Sequence, residues 1–240
     1  MIERHLPPRW TRLFRRPRVV AVFSYRWDAH LVPGLIENLR GAVDGWIAWD
    51  DRNSPPGFGD EPARRRALLA EARDAGARWV LAMDPDERLE RGFADRLPAL
   101  LAADGPAAWT FTVRELYRPD AYRVDGVWGR KRQLRLFTLD AAAQPSPKPV
   151  HGLWLPEGSP HARRDADINL YHLKMITPER RRARAALYNR LDPERRFQPI
   201  GYDYLAEDDG AVLEPIPPGR DYHPPHAEDG GLWMEPGLAG

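Results

Sequence analysis

Short apolar runs typical of buried strands alternate with helical patterns over residues 19–116, and this alternation restricts the folds open to the chain more than any other feature. The first run, 19–25, is continuous and rich in β-branched residues, as expected for a strand buried on both faces. Further strands are predicted at 44–50, 78–83 and 107–116, with helices from about Pro33, at 61–75 and at 93–102. The order β-α-β-α-β-α-β predicts an α/β fold with a mainly parallel sheet and helices on both faces.

The pattern changes after residue 116, where strand-like pieces become isolated and the loops become rich in proline. We predict strands at 133–137 and 169–174, on either side of a proline-rich loop at 144–160. A single strong helix is predicted from Thr177 to about residue 191, because Thr177 can cap it and Pro178 suits its first position. This half is predicted to form a small lobe laid over the sheet.

Composition at the two ends of the chain sets the predicted domain boundaries. Residues 1–18 contain six arginines against one glutamate, and residues from 214 onward are crowded with proline and paired glycines. We therefore predict a basic N-terminal arm at 1–18, one domain at 19–213 with halves at 19–116 and 117–213, and a tail at 214–240. Charge runs are usually solvated, and the other interpretation of the arm is peripheral contact with anionic lipid on the inner membrane face.

Overall composition excludes several classes of protein. A chain of 240 residues can bury a core without disulfides, and the absence of cysteine removes thiolate metal sites and thiol nucleophiles. Lys and Arg number 36 against 35 Asp and Glu, so a net charge of +1 provides no general field to hold nucleic acid. No apolar run approaches the roughly 18 residues of a membrane span, and no signal-peptide core is present, so we predict a soluble cytoplasmic protein.

Acidic residues follow two of the first three predicted strands. Asp50 and Asp51 come after one, and Asp84, Asp86 and Glu87 come after another. Ligands of open α/β sheets bind at the carboxyl ends of strands, and grouped carboxylates are costly unless a cation such as Mg²⁺ or Mn²⁺ lies between them. This placement predicts a metal and diphosphate site, although a D-x-D motif is weak alone and Asp is also common in turns and helix caps.

Several motifs together resemble family 2 glycosyltransferases, which have the GT-A fold. The first half is similar over SYRWDAHLVPGLIENLRGAVDGWIAWDDRNS and ARRRALLAEARDAGARWVLAMDPDERLE, where a turn follows the first strand, an Asp the second and D-x-D-E the third. In the second half Arg135-Leu136-Phe137, His151-Gly152 and Tyr171-His172-Leu173 resemble segments of a bacterial subgroup that includes lipopolysaccharide-core transferases. The similarity runs from about Val19 to Asp192.

The resemblance implies a metal-dependent enzyme that moves a sugar, with inversion, from a nucleoside-diphosphate sugar to a hydroxyl of a glycan, lipid-linked or small-molecule acceptor. The implied nucleotide-binding residues are Asp50, Asp51, Asp84 and Arg135. The implied ligands of Mn²⁺ or Mg²⁺ are Asp86, Asp84 and His172, since neutral imidazole can bind a metal and protonated imidazole can pair with phosphate. His172 and His151 have an equally common structural interpretation as hydrogen-bonded histidines, and Arg135 as a solvated arginine.

The chain departs from the family pattern at several positions. Trp27 and Asp28 stand where the family has Asn and Glu, RNSPP follows Asp51, and Gly152 replaces the Glu that follows the histidine. An inverting transfer needs a carboxylate within reach of the acceptor hydroxyl. The candidate bases are Glu115, Asp125 and Glu157, of which Glu115 is favoured because it ends a rigid strand. Glu87 is expected to support the metal site from outside.

Three other functions compete with this interpretation. A phosphatase of the aspartyl-phosphate type usually has its motif on the first strand with Thr or Val where this chain has Arg88. A sugar nucleotidyltransferase has a glycine-rich phosphate loop after the first strand, and residues 25–29 contain no glycine. The third alternative is a transferase-like domain that binds a nucleotide sugar or a partner without turnover, which the missing Glu at position 152 favours.

Overall fold

The computed structural model describes residues 1–7, 18–53, 60–148 and 152–225. The strands of these residues are β1 (Ile2–His5), β2 (Val19–Tyr25), β3 (Gly45–Asp50), β4 (Trp79–Ala82), β5 (Glu87–Leu89), β6 (Ala107–Arg118), β7 (Ala121–Arg123), β8 (Arg132–Thr138), β9 (Ala162–His172) and β10 (Leu213–Pro215). Their α-helices are α1 (Val32–Leu39), α2 (Glu61–Asp74), α3 (Phe93–Leu101) and α4 (Pro178–Leu191). The predicted helices and longer strands are therefore confirmed in order, most with ends shifted by a few residues, whereas the strand predicted at 169–174 begins seven residues earlier, at Ala162.

The sheet is mixed, so the prediction of a mainly parallel sheet is wrong. Its main path has the order β1-β3-β2-β4-β8-β6-β7-β10. Outside this path, β9 pairs with β6 and β5 pairs with β9. β2 is parallel to β3 and to β4, and β6 is parallel to β9, whereas the other pairs are antiparallel. The alternation of elements predicted the direction of β6 correctly, but β8 is inserted between β4 and β6 and is antiparallel to both.

The central strand β2 is buried on both faces, as its continuous apolar run predicts. Alternate side chains of a strand point to opposite faces. Val19, Ala21 and Phe23 pack with α1 and α3 in one core cluster, and Val20 and Val22 pack with α2 in a second cluster. Helices therefore cover both faces of the sheet around β2.

The ends of two helices are fixed by side-chain caps. Asp60 precedes α2 and accepts a hydrogen bond of 2.8 Å from the Ala63 amide. Thr177 precedes α4 and accepts one of 3.2 Å from the Arg180 amide, as predicted from the sequence. Such caps satisfy amides that the first helical turn leaves without a partner.

Both ends of the described chain are tied to the sheet. Residues 2–5, inside the predicted arm, form the edge strand β1 on β3, whereas residues 8–17 of the arm lie outside the described residues. Within the predicted tail, β10 pairs with β7 and Tyr222 forms a bridge with Glu90. None of the described helices is long and apolar enough to cross a membrane.

The strand directions bring five carboxyl ends to one edge of the sheet. Five strands run in the same direction: β2, β3, β4, β6 and β9. Strands β4 and β6 share this direction because β8, which lies between them, is antiparallel to both. The first of these strands, β2, lies between its two successors, β3 and β4. Connections that leave in opposite directions open a crevice at the carboxyl edge, which is where open α/β sheets bind ligands.

We predict that Gly45→Ala destabilises the protein by about 1–3 kcal/mol through overpacking. A Cβ at Gly45 would collide with the carbonyl oxygen of His5 and lie 3.2 Å from the Leu6 Cα, where the chain leaves β1. Urea unfolding measures the change, and Gly158→Ala is the control because its Cβ meets nothing within 4 Å. A Gly45→Ala variant as stable as the control would contradict close packing of β1.

Candidate functional site at the carboxyl edge

The turn that follows β4 is held by a buried arginine. Glu87 accepts a hydrogen bond of 2.9 Å from the Asp84 amide, so the turn closes on itself. The Arg135 guanidinium, from β8, contacts the Glu87 carboxylate and lies 2.7 Å from an oxygen of Asp84. Glu87 and Arg135 are buried, whereas half of the Asp84 side chain is exposed. Arg135 therefore positions the acidic turn from within the sheet and does not extend into solvent.

A row of three side chains crosses the neighbouring strands at the same level. The backbone register pairs Glu87 of β5 with His172 of β9, and His172 with Glu115 of β6. The Nε2 atom of His172 lies 3.2 Å from Oδ1 of Asp86, and its Nδ1 atom lies 3.1 Å from Oε2 of Glu115. His172 is thus placed between two carboxylates that come from different parts of the chain.

Three further cations complete what we call the histidine cluster, which consists of Asp86, Glu115, Lys131, His172, Lys174 and Arg184. The Nζ atoms of Lys174 and Lys131 lie 3.2 and 3.3 Å from Oε1 of Glu115. A guanidinium nitrogen of Arg184, from α4, lies 3.6 Å from Oδ2 of Asp86. Burial without such partners would cost several kcal/mol for each charge.

The charges of the cluster shift its pKa values against the effect of burial. Burial disfavours the charged forms of Asp86 and Glu115, but the charges of His172 and of the neighbouring cations together outweigh burial and hold both carboxyl pKa values below their usual range. Burial also lowers the pKa of His172, and Asp86 and Glu115 reverse this effect and raise it. The two carboxylates therefore favour the protonated form of His172, which lies between them.

Asp86 and His172 are also two of the three predicted metal ligands, and the fold brings them together. Ligands at right angles around Mg²⁺, each at 2.0–2.1 Å, are about 3 Å apart, close to the separation of Oδ1 and Nε2. A histidine that binds a metal usually faces a carboxylate with its other nitrogen, as His172 faces Glu115. No group of three His, Asp or Glu residues that could hold a metal ion occurs in the described ranges.

The predicted ligand set is therefore divided between two places. Asp86 and His172 come together, whereas the Asp84 carboxylate turns to Arg135. Metal binding by the Asp86 and His172 pair stays a prediction.

The other acids predicted to bind nucleotide lie at the end of β3. Asp50 pairs with Arg52 at 2.8 Å, which lowers the pKa of Asp50. Asp51 is buried, and its carboxylate lies 3.0 Å from Arg64 of α2 while its amide donates to the carbonyl of Tyr25. These acids are thus fixed beside the end of β2, on the side opposite to the β4 turn. A small pocket lies between the β2 and β4 ends and α2, and it is lined by Ser24, Glu61, Arg64, Arg65, Leu68, Met83, Asp84 and Trp154.

The three candidate bases lie in three different environments. Glu115 is fully buried in the histidine cluster. Asp125 accepts two hydrogen bonds of 2.8 Å from Arg123, and this pairing lowers its pKa to about 2. Glu157 is exposed in the loop before β9. Glu115 and Asp125 are consequently weak proton acceptors where the fold places them.

The absence of a side chain at position 152 is built into the surrounding structure. A Cβ at Gly152 would lie 2.8 Å from a guanidinium nitrogen of Arg65 and 2.9 Å from the Lys148 carbonyl oxygen. Arg65 pairs with Glu61, and its guanidinium lies 5.2 Å from the ring centre of Trp154. His151 lies outside the described residues, so its predicted role is not located.

Sequence reasoning missed four charged residues of this edge. Lys174 follows His172 by two positions, and this spacing was the one available signal for it. Lys131 and Arg184 reach the cluster from distant segments and had no such signal. Asp28 was noted only as a departure, but it is half-buried after β2, and burial and the Asp86 charge raise its pKa to about 7.

Comparison with known proteins gives little similarity. No family model matches the chain, and no curated protein matches it. Among solved structures, it is similar to the crystal structure of a glycosyltransferase involved in the glycosylation of the major capsid of PBCV-1, with 12% sequence identity and a TM-score of 0.31. The similarity covers 53% of this chain and 62% of that chain, so less than two thirds of the other protein is spanned.

We predict that Arg135→Met destabilises the protein by about 3–5 kcal/mol, because it leaves the buried Glu87 carboxylate without its cation. Arg52→Met is the matched control, since it removes an ion pair from a half-exposed arginine and should leave the free energy of unfolding almost unchanged. Chemical unfolding of both variants measures the difference. Equal free energies of unfolding for the two variants would show that Arg135 does not stabilise the turn after β4.

Proposed function

We propose that this chain is a glycosyltransferase that takes a sugar from a nucleoside-diphosphate donor, with Mg²⁺ or Mn²⁺ bound by Asp86 and His172. The observation that carries the proposal is the pairing of these two ligand atoms at 3.2 Å at the carboxyl edge of an open α/β sheet. The family 2 resemblance of the surrounding motifs supports the same reaction class.

The placement of the acids supports a donor that spans the end of β2. Asp50 and Asp51 end one neighbour of β2, and Asp84 and Asp86 follow the other. In this proposal Asp50 and Asp51 contact the nucleoside, and Asp86 lies beside the diphosphate. Arg64, which is paired with Asp51, lines the pocket between them.

The bound cation would act as a Lewis acid on the departing diphosphate. Asp86 and His172 would hold it. The positive charges of Lys174, which contacts Glu115, and of Arg184, which contacts Asp86, would favour an anionic ligand. Arg135 and Glu87 keep the turn that carries Asp86 in one position. These residues would orient the donor for displacement with inversion by an acceptor hydroxyl of a glycan, a lipid-linked sugar or a small molecule.

Two carboxylates are suited to deprotonate that hydroxyl. Asp28 lies half-buried after β2, near enough to Asp86 for the two carboxyl groups to interact, so it is at the carboxyl edge where an acceptor would bind. Glu157 is exposed, and its loop leads into the amino end of β9, so its use as base would require the loop to extend toward the carboxyl edge. The family resemblance favours neither residue as the base, because the family has its Glu at position 152, where this chain has glycine.

We predict that Asp86→Asn abolishes metal-dependent nucleotide binding. A ligand that binds the folded state raises its thermal stability by mass action, so nucleoside diphosphates with Mn²⁺ should raise the Tm of the unmodified chain. Asp86→Asn should lose this increase, whereas Asp167→Asn, an exposed acid of β9, should keep it. A panel of nucleoside diphosphates with and without Mn²⁺ measures both, and an unchanged increase in Asp86→Asn would refute the proposed ligand.

Loss of the true base should lower kcat by about 10²- to 10⁴-fold while donor affinity stays the same. We expect this result for one of Asp28→Asn and Glu157→Gln, with Asp167→Asn again as the control. Product formation from a labelled donor measures it. Nucleotide binding without turnover on any acceptor class would instead support the non-catalytic alternative, which the missing side chain at Gly152 favours.

A further inference from the structure

We infer that Arg88 is a positioning residue that fixes the loop after β2, which carries Asp28, against the turn after β4, which carries Asp86. It would thereby set the gap in which acceptor and donor meet. The inference rests on the proposed function, because only in that reaction does Asp86 lie beside the donor diphosphate and Asp28 stand as a candidate base. It applies whether or not a metal ion binds at this edge.

The guanidinium of Arg88 is buried and bonds to both segments. Its Nη1 atom donates hydrogen bonds of 2.8 and 2.7 Å to the carbonyl oxygens of Pro85 and Glu87, in the turn after β4. Its Nη2 atom donates one of 3.0 Å to the carbonyl oxygen of Leu31, where the loop after β2 enters α1. One nitrogen therefore holds each segment, and the planar guanidinium keeps the two segments at a fixed separation.

The three acceptors of Arg88 are all backbone carbonyls, which distinguishes this residue from Arg135. Arg135 compensates the buried carboxylate of Glu87, whereas no ion pair joins Arg88 to a carboxylate in the part of the chain that the structure describes. A buried charge is costly unless it is paired and hydrogen-bonded. What the Arg88 hydrogen bonds provide in return is a defined position for two backbone segments.

The loop after β2 is itself closed around Asp28. The Leu31 amide donates a hydrogen bond of 2.9 Å to the Asp28 carbonyl oxygen, and the Arg26 amide donates one of 3.1 Å to Oδ1 of Asp28. A shift of Leu31 would therefore move Asp28, whose carboxyl group lies near enough to that of Asp86 for the two to interact. The bond from Arg88 to Leu31 thus reaches the candidate base through one further hydrogen bond.

A glycine in α1 makes room for the guanidinium. A Cβ at Gly34 would lie 2.7 Å from Nη2 of Arg88, closer than the two atoms can approach. Alanine favours a helix interior more than glycine does. Gly34→Ala is therefore expected to displace the guanidinium from Leu31 without weakening α1, which separates a positioning role from a general loss of stability.

The first test measures turnover and donor affinity in Arg88→Lys and Gly34→Ala. Lysine keeps the charge but replaces the two nitrogens of a rigid fork by one. A panel of nucleoside-diphosphate sugars, with and without Mn²⁺, supplies the donor, and water serves as the acceptor, so that turnover is read as release of nucleoside diphosphate. We expect kcat to fall by up to about 10²-fold in both variants, because a small misplacement of reacting groups is costly. Donor affinity should stay nearly the same, because Arg135 still holds the turn through Glu87.

Arg182→Lys and Gly92→Ala are the matched controls for the two substitutions. Arg182 is exposed on α4 and pairs with Glu179, and a Cβ at Gly92 would meet nothing within 4 Å. Both controls should keep the original kcat. An unchanged kcat in Arg88→Lys and Gly34→Ala would overturn the inference and leave the proposed function intact.

Amide hydrogen exchange measures the link between the two segments without any reaction, because local opening limits the exchange of protected amides. Peptides that cover residues 26–31 should exchange faster in Arg88→Lys and Gly34→Ala than in the unmodified protein, whereas peptides from α2 should not change. Equal exchange in the loop would overturn the inference. If loop exchange rises in the variants but the unmodified protein turns over no nucleotide sugar, the proposed function fails, and the role of Arg88 in the reaction fails with it.

Discussion

Compensation of buried carboxylates by cations from distant segments holds the carboxyl edge together. Asp86, Glu87 and Glu115 are all buried, and each has a cation within contact distance. Removing one member of such a pair leaves a buried charge without compensation, which strongly destabilises the folded state. The elements that supply the cations are therefore held next to the turn after β4 by charge compensation.

The mixed sheet places one of the compensating cations beside the acidic turn. Arg135 reaches Glu87 and Asp84 because β8 lies next to β4 and antiparallel to it, with Leu136 opposite Leu81. A sheet in which β6 followed β4 directly would have no place for this arginine. The antiparallel strand that interrupts the predicted order is thus also the one that stabilises the acidic turn.

Local sequence patterns predicted the elements well because periodicity and capping are properties of neighbouring residues. The run at 19–25, the cap at Thr177 and the helix at 61–75 all depend on contacts within a few positions. Strand neighbours depend on the whole chain, and nothing near β8 indicated that it would separate β4 from β6. β5 has three residues, too few for a pattern, although its pairing with β9 creates the row of Glu87, His172 and Glu115.

Part of the candidate site could be predicted from the positions of acidic residues at strand ends and from the family resemblance. Strand ends pointed to Asp50, Asp51, Asp84 and Asp86, and the structure places all four at the carboxyl edge. His172 was named from a motif, but its contact with Asp86 depends on β9 reaching the edge through β6. Lys131 and Arg184 could not be found, because their positions follow from the ends of β8 and α4 and from no local pattern.

The charge balance of the histidine cluster favours an anionic ligand at the carboxyl edge. Its ion pairs join four basic side chains, Lys131, His172, Lys174 and Arg184, to two carboxylates. Because Asp86, Glu115 and His172 are buried, an excess of positive charge beside them is poorly screened by solvent. In the proposed function, the diphosphate of the donor would supply the counter-charge, which is why the basic residues of this edge, together with its acids, bear on donor binding.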